Sequence, residues 1–364
     1  MSEFLQRLIN ENENAICYNL DILEKFVKKV YRDFSSINNI KILYALKANV
    51  DLNILNTLAK LDIGADCASR EEVMLSIKSR FKYISATGPS FDKNDIKNYL
   101  ENDIHFDFDN YSQLFAVKEE LYGRMIGIRG NLKGYCSRFG IDFTSKEFVN
   151  FIKDYNIKIQ NIHYHYGNKD KYNLKILCYD IIESIKKFNI LSNISSINIG
   201  GGIELFYKQK QESSIVEILI EFKKEVERLL DREIILILEP GSLFTLPVGY
   251  LKTKVKYIIK QTKTAILDIS SFNFSSWNKI YPICHNYEFI KGVKNSSFKY
   301  KVVGNTCFEE DIFGEFYFLH ELKEGDNIIL FPIGAYNFCL LRNLHSMKTP
   351  GIIYFENGKL VYGR

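Results

Sequence analysis

Long apolar runs are missing from this 364-residue chain. None approaches the roughly 18 residues that a membrane-spanning helix needs, so no membrane role is expected. Cysteine is present but badly spaced for structural use. Cys17, Cys67, Cys136, Cys178, Cys284, Cys307 and Cys339 are odd in number and form no Cys-x-x-Cys pair. That fits neither a disulfide framework nor a zinc site, and no metal is expected. Proline is scarce, at six residues, and no Pro/Gly/Ser-rich linker or low-complexity segment breaks the chain. An excess of one charge is lacking too: 48 Lys and Arg against 44 Asp and Glu leave a formal charge of +4. Basic and acidic residues interleave, as in Glu221–Arg228, so no nucleic-acid surface is expected. The opening residues hold no apolar core followed by a cleavage-like site, so no signal peptide is visible and a cytoplasmic location is expected.

What is present is a recurrence. Eight β-like runs appear: Ile42–Leu46, Ile63–Cys67, Tyr83–Thr87, Ile104–Phe108, Met125–Arg129, Asn161–Tyr166, Ser196–Ile199 and Ile234–Leu238. Helical patterns lie between them, among them Asn53–Leu61, Arg70–Lys78, Asp92–Glu101, Lys146–Tyr155, Tyr172–Phe188 and Ser214–Asp231. Alternating strand and helix argues for parallel βαβ units, and eight such units close a β/α barrel. An open, doubly wound sheet is the alternative. Past residue 243 the pattern turns to strands with few helices, which predicts an antiparallel β-domain. The expected division is therefore 1–22 as an N-terminal segment contributing a strand (Asn14–Asn19) to the β-domain, 23–243 as the barrel, and 244–364 as the β-domain.

Barrel enzymes gather their chemistry at the carboxyl ends of the strands. Here those ends carry Lys47, Asp66, Arg129, His165 with Asn168, Gly200-Gly201-Gly202, and Glu239. Each has an ordinary explanation. A lysine ending a strand usually reaches out to water, a histidine is often a satisfied core residue, and a triple glycine can be a tight turn. Together they describe one rim. A lysine at a barrel mouth can be desolvated and attack a carbonyl as a Schiff-base nucleophile. Bare glycine amides after strand seven can surround a phosphate. A carboxylate buried at Glu239 requires a partner, and a protonated ring nitrogen would serve. Those are the needs of pyridoxal phosphate. His163 and His165, two apart on an expected strand, should face opposite sides, which leaves no metal constellation.

At this point the chain resembles the fold type III pyridoxal-phosphate decarboxylases, the family of ornithine, diaminopimelate and carboxynorspermidine decarboxylases. The resemblance runs from about Ile16 to Phe355. It rests on Tyr44-Ala45-Leu46-Lys47-Ala48-Asn49, Gly64-Ala65-Asp66-Cys67-Ala68-Ser69, Ser137-Arg138-Phe139-Gly140-Ile141 and His163-Tyr164-His165-Tyr166-Gly167. Ile199-Gly200-Gly201-Gly202, Glu239-Pro240-Gly241, Gly304-Asn305-Thr306-Cys307 with Asp311, and Gly334-Ala335-Tyr336 continue it. The resemblance implies that Lys47 holds pyridoxal phosphate and returns protons, and that His165 stacks on its ring near Asp66. It implies that Arg129 lines the pocket, that Asn168, the three glycines and Tyr336 bind the phosphate, and that Glu239 pairs with the ring nitrogen. Cys307, from the partner subunit of a homodimer, would protonate the product carbon. Asp311 would support that loop and, with Phe308 and Glu309, lie by the substrate.

The departures bear on the substrate, a specialised amino acid. Asn168 replaces the family's phosphate-side serine, and an amide still donates. Ser242 stands where an arginine usually follows Glu-Pro-Gly, and Tyr281-Pro282-Ile283-Cys284-His285 lacks the arginine of a diaminopimelate-type Arg-Pro segment. Bidentate arginine recognition of a distal carboxylate is not easily replaced, so diaminopimelate is disfavoured. Phe308, where an acidic residue often meets a distal amine, weakens lysine and ornithine. The run from Cys307 to Phe316 resembles the carboxynorspermidine branch, while Tyr44–Asn49 resembles the other, and the branch stays open. Two alternatives remain: an amino-acid racemase on the same fold, which Glu239 and Cys307 speak against, and a non-catalytic homologue that regulates a partner.

Overall fold

The computed structural model describes residues 3–131, 137–273, 279–283, 298–337 and 340–362. Cys136, Cys284, His285 and Cys339 lie outside the described residues. The chain divides into two compact units, Val27–Leu243 and Met1–Phe26 with Phe244–Arg364.

Strand β1 (Ala15–Asn19) belongs to the second unit. The first unit is a closed barrel of eight strands: β2 (Ile40–Ala45), β3 (Gly64–Cys67), β4 (Ile84–Thr87), β5 (His105–Phe108), β6 (Met125–Arg129), β7 (Lys158–His163), β8 (Ser196–Asn198) and β9 (Ile235–Leu238). Each pairs in parallel with its sequence neighbours, and β2 meets β9 through Ile40↔Leu236 and Ile42↔Leu238. The open-sheet alternative is thereby excluded. Apart from exposed Met125 and Lys158 at their starts, the strand residues are buried or half-buried, as expected of a parallel barrel covered by helices outside and by opposing strands inside. Helix starts follow local chemistry. Asp51, Ser69, Asp92, Asn110, Ser145 and Asp170 each accept backbone N–H groups of the helix they precede. Such caps contribute about 1 kcal/mol each. They also fix where each loop ends, and so where the strand-end residues point.

One strand boundary differs in a way that matters. The run Asn161–Tyr166 reads as a strand because aromatic residues favour one, yet β7 occupies Lys158–His163. His165 lies beyond its end, and the alternation argument does not extend to it.

The second unit holds a curled, nine-stranded sheet: β1, β10 (Gly249–Ile259), β11 (Thr264–Leu267), β12 (Tyr281–Ile283), β13 (Phe298–Val303), β14 (Ile312–Phe318), β15 (Asn327–Phe331), β16 (Gly351–Glu356) and β17 (Lys359–Tyr362). It is mixed rather than purely antiparallel. β1 runs parallel to β16, and β11 parallel to β13. The N-terminal strand sits between β10 and β16 and is buried throughout. The helix Glu3–Ile9 then packs Phe4 edge-on against Tyr250 and Phe355, with ring centroids 4.8 and 4.9 Å apart. Among the described residues, no helix is long and apolar enough to cross a membrane.

Candidate active site

The barrel places its unusual residues at one end, as the register requires. Ala45 of β2 pairs with Asp66 of β3, so Lys47, in the single turn Leu46–Ala48 that follows β2, leaves the barrel at the same rim. Lys47 is exposed there rather than desolvated. Asp66 is buried, and burial, followed by the nearby Glu239 carboxylate, pushes its carboxyl up to about 8, with Lys47 acting in the opposite direction. Its environment thus favours the protonated carboxyl.

Glu239 is 2% exposed. Burial acts against its charge, but His163 outweighs it and holds the carboxyl down at about 2. His163 Nε2 lies 3.2 Å from Glu239 Oε2, and His163 Nδ1 lies 3.3 Å from Asp107 Oδ2. Neither contact is aligned as a hydrogen bond, so the attraction is that of an ion pair. Burial disfavours the imidazolium, yet Glu239 and then Asp107 raise it to about 9. Asp107 is fully buried and accepts from Asn161 Nδ2 at 2.7 Å, with His105 Nε2 at 2.9 Å. Its neighbours, His105 first, hold it far below the usual carboxylate range against the cost of burial. Gly127 provides the room, since a Cβ there would stand 1.9 Å from Asp107 Oδ1. Asn198 completes the row: its Nδ2 donates to Glu239 Oε1, and its Oδ1 accepts from Gly200 N at 2.8 Å.

This row of His105, Asp107, Asn161, His163 and Asn198 was not singled out as functional by sequence. Its one legible signal was the presence of polar residues at inward positions of otherwise apolar strands. The expectation that His163 and His165 alternate on one strand is corrected, because β7 ends at His163. Among the described residues, no cluster of three metal-ligating side chains occurs.

His165 lies over the glycine turn. A Cβ on Gly200 would meet its ring atoms at 2.7–3.0 Å. Burial, and then Lys47, push its imidazole down to about 2, so the ring is neutral and suited to stacking. Gly200 and Gly202 have φ of 69° and 78°, where a side chain would be strained. A Cβ on Gly202 would also stand 1.9 Å from the Gly167 carbonyl oxygen. The N–H groups of Gly201, Gly202 and Ile203 make no hydrogen bond among the described residues. Asn168 is exposed, and its Cα lies 3.0 Å from where a Cβ on Gly202 would stand, so it borders this turn in space. Arg129 ends β6 and pairs with Asp109 at 3.0 Å, its guanidinium 4.7 Å from the Phe139 ring.

The remaining predicted residues belong to the sheet unit. Asp311 is buried and organises the turn that carries Cys307. Its Oδ1 accepts from Ser271 N and Oγ at 2.7 and 2.6 Å, and its Oδ2 from Thr306 N and Oγ1 at 3.1 and 2.6 Å. Burial acts against the charge, but these bonds hold the carboxyl below its ordinary value. A Cβ on Gly304 would lie 2.2 Å from both oxygens, which accounts for the Gly-Asn-Thr-Cys sequence. With both oxygens occupied in its own turn, Asp311 fits a supporting role rather than substrate contact. Cys307, Phe308 and Glu309 are exposed. Cys307 Sγ lies 3.4 Å from His345 Nε2, and Phe308 stacks on the His345 ring with centroids 5.5 Å apart. Tyr336 is half-buried at φ 60°, following Gly334, where a Cβ would stand 1.7 Å from Thr245 O.

The barrel residues fit pyridoxal phosphate. A buried carboxylate held ionised suits a protonated ring nitrogen, a neutral flat imidazole suits a ring face, and three amides without protein acceptors suit a phosphate. A closed parallel barrel followed by a curled mixed sheet, with these groups at the strand ends, defines the fold type III class of pyridoxal-phosphate enzymes. A family model described as the pyridoxal-binding domain of pyridoxal-dependent decarboxylases matches residues 23–246, and the chain belongs to that family. It is a lyase that uses pyridoxal phosphate to decarboxylate an amino acid.

Diaminopimelate decarboxylase of Methanocaldococcus jannaschii is 26% identical, covering 95% of this chain and 85% of the relative. Carboxynorspermidine/carboxyspermidine decarboxylase of Campylobacter jejuni is 23% identical, covering 87% and 86%. A crystal structure of the M. jannaschii diaminopimelate decarboxylase superposes with a TM-score of 0.82 at 22% identity, covering 99% of this chain and 91% of that one. That of C. jejuni carboxynorspermidine decarboxylase, complexed with norspermidine, gives 0.79 at 23% identity and 97% coverage of each.

Proposed function

We propose that this enzyme removes the α-carboxylate, as CO2, from a specialised amino acid whose far end is not a carboxylate. The buried Glu239 anion, held ionised by His163, is the observation that carries the assignment of the barrel mouth as the active site. When bound, pyridoxal phosphate supplies a carbonyl for the substrate amine and a ring that accepts the electrons left by departing CO2. Lys47 Nζ holds the cofactor and passes protons to and from the substrate amine. Glu239 presents its charge to the ring nitrogen, and His165 covers one ring face. Arg129, braced by Asp109, lines the mouth, and Asn168, Gly200, Gly201, Gly202 and Tyr336 take the phosphate. The Cys307 thiol, supplied by a second copy of the chain in a cytoplasmic homodimer, delivers the proton to the product carbon.

The far-end preference rests on Ser242 and Glu204. Ser242 Oγ donates to Glu204 Oε1 at 2.6 Å, while among the described residues the buried Glu204 Oε2 has no hydrogen-bond partner. A carboxylate, not a guanidinium, is offered beside the Glu-Pro-Gly turn, which suits a far end bearing an amine alone better than diaminopimelate, whose far end also bears a carboxylate. The test begins with the absorption spectrum of the protein on adding pyridoxal phosphate and then borohydride. A visible band that borohydride removes, with label on Lys47 and none in Lys47→Ala, supports the site. CO2 release is then measured over a panel including diaminopimelate, carboxynorspermidine, ornithine and lysine. Fastest turnover of diaminopimelate would overturn the substrate reading while leaving the site intact.

A further inference from the structure

Lys169 was not singled out by sequence and has no part in the roles above. It follows Asn168 and is 1% exposed, a rare state for a lysine. Its Nζ donates to the Gly201 carbonyl at 2.5 Å, and its own backbone N–H donates to the Gly202 carbonyl at 2.7 Å. One residue thus grips two successive carbonyls of the glycine turn. In a planar trans peptide the N–H points opposite to the C=O. Pinning the Gly201 and Gly202 carbonyls towards Lys169 therefore turns the Gly202 and Ile203 N–H groups the other way. These are two of the three amides that lack a protein acceptor.

The ammonium itself is under-served. It has three N–H donors, and among the described residues it makes one hydrogen bond. Glu239, Glu204 and Cys178 favour its charge while Lys47 opposes it, but no carboxylate reaches ion-pair distance. Burial pushes it down to about 8, which leaves most of it charged at pH 7. A buried cation with one neutral acceptor is costly unless an anion arrives. A dianionic phosphate ester on the amide face of the same turn would supply that anion.

We propose that Lys169 is a phosphate-selecting residue, acting from behind the glycine turn both to aim its amides and to supply the buried positive charge that a phosphate monoester requires. This rests on the reading of the Gly200–Gly202 turn as the cofactor's phosphate site. The experiment compares binding of pyridoxal phosphate and of pyridoxal, which lacks the phosphate, to wild type and to Lys169→Met, followed by absorbance and by retention on gel filtration. Wild type should prefer the phosphorylated form strongly. Lys169→Met should weaken pyridoxal phosphate by about 10- to 100-fold, the usual worth of a hydrogen-bonded charge, and leave pyridoxal nearly unchanged.

Equal loss for both ligands would make Lys169 a structural clamp only and overturn the proposal. An unchanged preference in the variant would overturn it as well. Absence of any preference in wild type would instead remove the phosphate reading of the turn, and the proposal with it. If Lys169→Met does not fold, Lys169→Gln, which keeps a donor for the Gly201 carbonyl but no charge, carries the same comparison.

Discussion

The strand-end row of the barrel and the Cys307 turn of the sheet unit treat ionisable groups in opposite ways. In the barrel, Asp66, Asp107, His163 and Glu239 are buried, and each is driven far from its ordinary behaviour by burial and by the others. In the sheet unit, Cys307 and His345 meet at the surface, on a turn held by hydrogen bonds to Asp311. The two treatments serve different ends. Buried charges are preset before a ligand arrives and do not reorganise during reaction, where preorganised dipoles contribute most. An exposed thiol on a tied turn is held in place but stays accessible, with one imidazole beside it. Cysteine shows the same difference between sites: Cys67 in the barrel, like Cys17 in the sheet, is buried with its thiol pushed well up, while Cys307 is exposed.

Breaking the barrel side should give the largest effect. Glu239→Gln should lower kcat for CO2 release by on the order of 10²- to 10³-fold, the scale of removing one preorganised group, with far-UV circular dichroism unchanged. A variant that kept its rate would end the claim that this row carries the chemistry. Next comes His163→Phe, which leaves two buried carboxylates without the cation between them. Removing one partner of a buried pair costs about 3–5 kcal/mol, so thermal unfolding should move down by roughly 10 °C.

The same variant tests the linkage sign. His163 rises from 6.5 to about 9 on folding. Its stabilisation is therefore complete below pH 6.5 and is lost as pH rises through 9. Wild type should lose stability across that window, and His163→Phe should lose less, keeping below about pH 8 only the part that the raised Asp66 carboxyl contributes.

On the sheet side the effects should be smaller and local. Asp311→Asn removes the charge that four donors share, at about 1–3 kcal/mol. Amide hydrogen exchange at Gly304 and Thr306 should quicken while cofactor affinity stays unchanged; altered affinity would show that the turn does more than hold Cys307. The smallest effect is expected for His345→Asn. Peptide-level mass spectrometry should show severalfold slower alkylation of Cys307 at neutral pH, with Cys67 and Cys178 unreactive throughout. Labelling of those two at a rate near that of Cys307 would erase the contrast between the buried thiols and the exposed one.

Much of the barrel was legible because its signals are local. Turn residues, apolar runs and caps such as Ser69 and Asp170 mark the alternation, and closure follows from its count. The strand-end residues were legible because the fold sends such positions to one rim. The ion-pair row was not. Asp107 and His163 are far apart in sequence, and each alone reads as an isolated polar residue in a strand. Lys169 was missed for a similar reason: nothing in Asn168-Lys169-Asp170 marks the middle residue as buried. His165 was assigned the right end of the barrel but the wrong backbone, since Tyr164–Tyr166 has strand-like composition without strand pairing.

By itself the sequence determined which elements form, where they begin, and which chemical groups stand at their ends, because propensity, capping and periodicity act over a few residues. Tertiary structure alone decided the charges. Whether Asp66 is an acid and Glu239 an anion depends on burial and on one imidazole brought between two carboxylates by strands β5, β7 and β9. Electrostatic energies depend on distance and dielectric, and in this chain both are set only when the barrel closes.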